Sequence, residues 1–93
     1  MEDVHFKAVA IEAAHPEEIR CVRTAKEAYE CLVNEWHDRR RGPAYARAKL
    51  ACMGAMDGSS SADEARAAFI DAASEADILV ATHTRVFNAI LPG

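Results

Sequence analysis

Three consecutive arginines, Arg39, Arg40 and Arg41, precede a Gly-Pro pair in the segment DRRRGPAYARA and form the strongest candidate for binding chemistry in this chain. Proline is favoured in the first turn of a helix, so Pro43 predicts a helix whose N-terminal N–H groups carry partial positive charge. Guanidinium groups beside such a terminus suit a phosphate or a carboxylate. These residues are therefore a candidate contact with an anion or an acidic partner, with Arg47 as its fourth member.

The charge distribution supports this contact and also offers structural alternatives to it. The net charge is −4 at pH 7, yet the segment from Arg39 to Met56 contains five basic residues and no acidic one. The arginines would also suit the end of a preceding helix, or pair with Glu35, Asp38 or the acidic face of a later helix. These structural roles are favoured over a ligand. Nucleic acid is disfavoured as a partner, because no broad basic region accompanies the segment.

The other reactive side chains match no catalytic or metal-binding pattern. The cysteines are odd in number, widely spaced and embedded in apolar stretches, which favours free buried thiols over a disulfide framework. The histidines form no H-x-x-x-H pair, so we expect no metal. Without a glycine-rich phosphate loop or a G-x-S-x-G motif, the sequence predicts no catalytic residue and no cofactor. The side chains concerned are Cys21, Cys31, Cys52, His5, His15, His37 and His83.

The elements that would position these residues begin with two short strands. The stretches HFKAVAIE and EIRCVRT alternate in part between apolar and polar residues and are separated by a turn with Pro16, which predicts a β-hairpin. Thr24 and Glu27 then form a capping box that starts a helix over residues 25 to about 37, with the arginines at its end.

Two further helices follow. The second begins at Gly42-Pro43 and ends at Gly58, and the third begins at a second capping box, Ser61 with Glu64. The third helix has an alanine-rich inner stripe and an acidic outer face. The β-forming stretch ILVAT after Asp77 predicts either a third short strand near residues 78–82 or an extended tail.

Together these patterns predict one α+β domain over residues 1–81, in which an N-terminal β-hairpin packs on three α-helices in the order ββααα. A tail over residues 82–93, THTRVFNAILPG, has four sizeable apolar side chains, so we expect it to pack on the domain or dock on a partner.

The second helix is apolar around much of its circumference, because Leu50 and Met53 lie off its main apolar stripe. In so short a chain, burial of both by neighbouring elements is difficult. Leu50 and Met53 are therefore candidates for a self-association patch, with cover by the hairpin or the tail as the equal alternative.

A family resemblance follows from the order of these residues. The segment RGPAYARAKLACMGAMDGSSSADEARAAFIDAASEADILV, preceded by a short hairpin and a helix ending at Trp36, resembles domain-of-unknown-function family 982, small proteins found mainly in alphaproteobacteria. The resemblance covers roughly residues 5–80 and implies a small α+β fold, with no activity to carry over. The matching residues are Trp36, Arg41, Gly42, Pro43, Tyr45, Ala48, Ala51, Cys52, Ala62, Ala65, Arg66, Ala68, Phe69, Ile70, Ala72, Ala73, Glu75 and Ala76.

Composition indicates the compartment and the class of function. No run reaches the roughly 18 apolar residues of a membrane span, and the N-terminus has acids where a signal peptide has basic residues. We therefore expect a cytoplasmic protein without a membrane contact. A protein-interaction or regulatory module that binds a protein partner or forms a homodimer is favoured over an enzyme, and binding of an anion, phosphate or nucleic acid through the arginines is the alternative.

Overall fold

The computed structural model of the chain describes residues 4–12, 19–36 and 38–81 and shows an α+β fold in the predicted order ββααα. Local signals start the three helices, and end the second, where they were expected. A capping box at Ser61 and Glu64 starts the third helix, while Gly58 ends the second in the left-handed conformation, with φ of 92°. The elements are β1 (His5–Glu12), β2 (Ile19–Thr24), α1 (Ala25–Asn34), α2 (Pro43–Asp57), α3 (Ala62–Glu75) and β3 (Leu79–Ala81).

The three strands form one antiparallel sheet in the order β2-β1-β3. The predicted third strand is present, and it lies beside β1, with Ile11 opposite Leu79. A register shift in β1 between His5 and Val9 changes the alternation of the strand. As a result, both Phe6 and Val9 contribute to the core.

The helices lie on one side of the sheet in two layers. Helix α1 packs against β2, and α3 packs against β1 and β3, whereas α2 packs across α1 and α3. Helix α2 is therefore the outermost element of a three-layer arrangement. The core between the layers is built mainly from alanine, together with the aromatic rings of Trp36, Tyr45 and Phe69.

Two expectations about α1 and the arginines are wrong. Helix α1 ends at Asn34, three residues earlier than predicted, and the three arginines do not lie at its end. After Glu35 the chain leaves the helix so that Trp36 packs against Tyr45 and Phe69, with ring centroids 6.1 and 5.8 Å apart. Packing of this large ring overrides the local helical pattern. The arginines instead occupy a 3-10 turn over Asp38–Arg40 and the residue after it.

The expectation that the cysteines are buried holds for Cys31 and Cys52 but is wrong for Cys21, which is exposed. Cys21 lies on β2, where Val22 and Thr24 point to the core. Alternation along the strand therefore turns the Cys21 side chain away from the core. The predicted hairpin turn with Pro16 and the predicted tail over residues 82–93 lie outside the described residues.

Candidate functional site

The three arginines of the DRRRGP segment have different surroundings. Arg40 Nη1 donates a hydrogen bond to the carbonyl oxygen of Ala76, just after the last turn of α3. Arg41 Nη2 donates to the Trp36 carbonyl oxygen at 3.2 Å, and its guanidinium lies 5.1 Å from the centre of the Tyr45 ring. Arg39 is exposed. The run therefore does not form one cluster around a common point.

The N-terminus of α2 already has an acceptor from within the chain. Glu75, the last residue of α3, accepts a hydrogen bond from the Ala44 N–H at 3.0 Å through Oε2. Gly42 allows this approach, since a Cβ at position 42 would overlap the Glu75 carboxylate. The carboxylate therefore occupies the place where an external anion was predicted, and a ligand at this place stays a prediction.

Glu75 and Arg40 together form a reciprocal link between two antiparallel helix ends. The carboxylate meets the positive N-terminal end of α2, and the guanidinium meets the negative C-terminal end of α3. Sequence reasoning assigned Glu35 as one alternative partner for the arginine run, but Glu35 forms an ion pair with Arg20 instead. The DRRRGP segment therefore helps to hold the N-terminal end of α2 against the C-terminal end of α3.

Sequence reasoning missed the role of Glu75. Glu75 belongs to the acidic outer face predicted for α3, and its partner Ala44 lies 31 positions earlier in the chain. No signal in the sequence joins two residues so far apart. The only local indication is the glycine before Pro43, which fits a close approach as well as it fits a turn.

The outer face of α2 carries an apolar stripe. Leu50 is 69% exposed and Met53 is 44% exposed. With exposed Ala46 they occupy positions i, i+4 and i+7, which lie on one side of a helix. The prediction that Leu50 and Met53 lie outside the buried face of α2 is confirmed, and the described strands of the hairpin do not cover them. The tail, the other predicted cover, lies outside the described residues. Their role in self-association stays a prediction.

Two basic side chains flank this stripe. Arg47 is exposed and makes no ion pair with a carboxylate of the described residues. Lys49, on the other flank, has its Nζ 5.8 Å from the centre of the Tyr45 ring. Helix α2 has no acidic residue before Asp57. The exposed surface of α2 is therefore an apolar stripe with a positive border, and the stripe ends at exposed Asp57, which lies on the same face.

The buried thiols and the buried indole N–H belong to side chains that pack in the core. Burial raises the pKa of the Cys31 thiol, and burial raises that of Cys52 to about 12. Both remain protonated at neutral pH and are poor nucleophiles. The buried Nε1–H of Trp36 finds no acceptor among the described residues, so this ring contributes through packing. Across the same part of the chain, no group of three or more His, Cys, Asp or Glu could hold a metal ion.

Comparison with models of known protein families shows which family this chain belongs to. The model of the family described as "Protein of unknown function (DUF982)" matches residues 7–80, more than half of the chain. The chain belongs to the DUF982 family. Searches of curated proteins and of solved structures found no match. The function of the DUF982 family is not established, and nothing in the described residues indicates catalysis.

Several of the residues that carry the resemblance to DUF982 have structural roles in this protein. Trp36, Tyr45 and Phe69 form the aromatic part of the core, and Gly42 admits the Glu75 carboxylate to the end of α2. In this chain the motif residues therefore serve the fold. In addition, none of the helices within the described ranges has the length and apolar character needed to span a bilayer.

Proposed function

We propose that this DUF982 protein is a small cytoplasmic protein-interaction module, and that the outer face of α2 is its docking surface. The observation that carries the proposal is the pair of large apolar side chains exposed on the outermost helix, Leu50 at 69% and Met53 at 44%. Exposed apolar surface of this kind is typical of sites that are covered by another protein.

The position of α2 supports the proposal. The helix buries its inner face, including Ala48, Cys52 and Ala55, against the rest of the core, so its orientation is held by packing. Leu50 and Met53 are then presented to solvent on a regular and rigid element. Such a helix binds a partner without first having to be ordered.

Self-association is tested by size-exclusion chromatography with light scattering over a wide range of protein concentration. If a second copy is the partner, the molar mass of the wild-type protein rises with concentration, and Leu50→Glu with Met53→Glu keeps it at the monomer value. Ile19→Glu is the matched control, because Ile19 is a similarly exposed apolar side chain, at 55%, on strand β2. A wild-type protein that stays monomeric throughout shows that a second copy is not the partner.

Binding to another protein is tested by affinity capture from an extract of the source cells, with and without nuclease. A stoichiometric protein that is retained by the wild type and by Ile19→Glu, but not by the Leu50→Glu, Met53→Glu protein, supports the docking surface. The proposal is wrong if the double variant changes neither the captured proteins nor the molar mass. Captured material that is lost after nuclease treatment would indicate nucleic acid as the partner.

A further inference from the structure

We propose that the partner of the α2 surface is an amphipathic helix of another protein with an apolar stripe bordered by acidic side chains. This inference rests on the proposed function and names the chemistry of its partner. It follows from the geometry of the stripe, from the charges beside it and from what helices α2 and α3 of a second copy of the chain could offer.

The geometry of the surface fits a helix. Ala46, Leu50 and Met53 follow the spacing i, i+4, i+7, which is the seam used when two helices pack side by side with a small crossing angle. Helix α2 has 15 residues, so its outer face is about 22 Å long. A partner helix of about four turns covers this length.

The basic side chains beside the stripe favour a partner whose facing side chains are negatively charged. At about 100° per residue, Arg47 lies on one flank of Leu50 and Lys49 lies on the other. Neither forms an ion pair with a carboxylate of the described residues. Exposed Arg39, in the turn before the helix, is also basic. A partner helix with Glu or Asp at the positions that flank its apolar stripe would place carboxylates opposite these cations, as in the pairing of coiled-coil helices.

A second copy of the chain offers no such surface on its helices α2 and α3. If two α2 stripes faced each other, the basic flanks of both copies would be brought together, and juxtaposed like charges oppose association. The outer face of α3 has the right charge but no large exposed apolar side chain, so it would place polar groups against Leu50 and Met53 and leave the apolar stripe without an apolar partner. The exposed side chains of α3 are Asp63, Glu64, Ala67, Asp71, Ser74 and Glu75.

The test uses two synthetic helical peptides of about 15 residues, equal in length to α2. Both have leucine at i, i+3, i+7 and i+10. One has glutamate and the other has lysine at the flanking positions. Binding to the intact protein is measured by fluorescence anisotropy of the labelled peptide and located by chemical-shift changes in ¹⁵N–¹H spectra. The variants are Leu50→Glu and the charge reversal Arg47→Glu with Lys49→Glu.

We expect the glutamate peptide to bind the wild type more tightly than the lysine peptide does, and to shift the resonances of α2. The charge reversal and Leu50→Glu should each weaken this binding by at least roughly tenfold, and the lysine peptide should gain affinity for the charge-reversed protein. The control is the reversal Arg23→Glu with Lys26→Glu, at two exposed cations away from α2, which should leave the affinities unchanged. Circular dichroism and thermal melting confirm that each variant is folded.

Other outcomes would contradict the inference, and they separate its failure from failure of the proposed docking surface on α2. If both peptides bind equally and Leu50→Glu weakens both, α2 is a docking surface but the partner is not selected by acidic charge. If neither peptide binds and the wild type forms a dimer that Leu50→Glu with Met53→Glu dissociates, the partner is a second copy. If neither peptide binds and the double variant changes neither molar mass nor captured proteins, the docking surface itself is wrong.

Discussion

The three thiols of this protein lie in different environments, although each occurs in an apolar stretch of sequence. Cys31 and Cys52 are fully buried on the inner faces of α1 and α2, where loss of hydration disfavours the thiolate and raises the pKa of both. Cys21 is exposed on β2. At the residue scale, the direction of each side chain decides whether the thiol is buried. Burial disfavours the thiolate, which is the form that attacks an electrophile.

We predict that one of the three cysteines reacts quickly with a thiol reagent in the native protein. Cys21 is accessible, whereas Cys31 and Cys52 are shielded and protonated. Absorbance from Ellman's reagent should therefore correspond to one thiol under native conditions and to all three in denaturant. The Cys21→Ser variant provides the control and should lose the rapid reaction. Rapid modification of a second thiol in that variant would contradict the burial of Cys31 and Cys52.

We predict that Cys52 makes stability decrease at high pH. Its pKa is raised from about 9 to about 12 by burial, so the unfolded chain releases this proton at a lower pH than the folded chain does. The contribution is complete below the unfolded pKa of about 9 and is lost as pH rises toward the folded value. Thermal midpoints measured from about pH 8 to about pH 11 should fall less in Cys52→Ala than in the wild type. The exposed Cys21→Ala is the control, and a fall equal to that of the wild type in Cys52→Ala would contradict the prediction.

Between elements, the link formed by Arg40 and Glu75 fixes how α2 and α3 meet. Glu75 caps the N-terminus of a helix to which it does not belong, and Arg40 contacts the end of the helix that contains Glu75. Gly42 has no side-chain cap of its own. Glu75 therefore supplies from α3 the acceptor that a serine or aspartate at the N-cap would normally supply.

We predict that Gly42 and Glu75 are energetically coupled. Glu75→Ala removes the acceptor of the Ala44 N–H and should cost about 1 kcal/mol, as the loss of a helix cap does. Gly42→Ala should cost up to this amount, because the new Cβ overlaps the carboxylate and Glu75 must shift away from the Ala44 N–H. In the double variant the losses should not add, since the cap can be lost only once. Urea unfolding of the four proteins measures the coupling, and additive losses would show that Gly42 does not act through Glu75.

At the scale of the whole molecule, three layers are held by a core of small side chains and a few large ones. Phe69 has no exposed surface, and its ring packs with an edge-to-face geometry against Trp36. Helix α2 closes this core on one side, and no further layer of the described chain covers its outer face. Phe69 of α3 and Leu50 of α2 therefore have opposite roles, since Phe69 stabilises the fold while Leu50 is exposed to solvent.

We predict that Phe69→Ala costs about 3–5 kcal/mol of the free energy of unfolding, because it removes a fully buried ring and leaves a cavity. Leu50→Ala should change this free energy by about 0.5 kcal/mol or less, since its side chain is mainly in solvent. Chemical denaturation followed by circular dichroism measures both values. A large loss in Leu50→Ala would mean that this side chain is covered within the chain, and the proposed docking surface would be wrong.

The amino-acid sequence by itself determined those features that depend on neighbouring residues. Gly42-Pro43 and Gly58 set the ends of α2, and the capping box Ser61 with Glu64 sets the start of α3. These signals act through dihedral preferences and hydrogen bonds within a few residues, so they can be read from the chain. The α+β class, the order ββααα and the exposed direction of Leu50 follow in the same way from periodicity.

Only the tertiary structure decided which distant groups meet. Helix α1 ends early because Trp36 packs between rings from α2 and α3, and Cys21 is exposed because β2 turns its other face to the core. Arg40 and Glu75 find partners 36 and 31 residues away. Such contacts arise from the packing of whole elements, and residue types near one another in sequence do not encode them. For the same reason, the arginine run suggested one binding site, whereas the fold gives its members separate contacts and leaves the α2 face as the candidate surface.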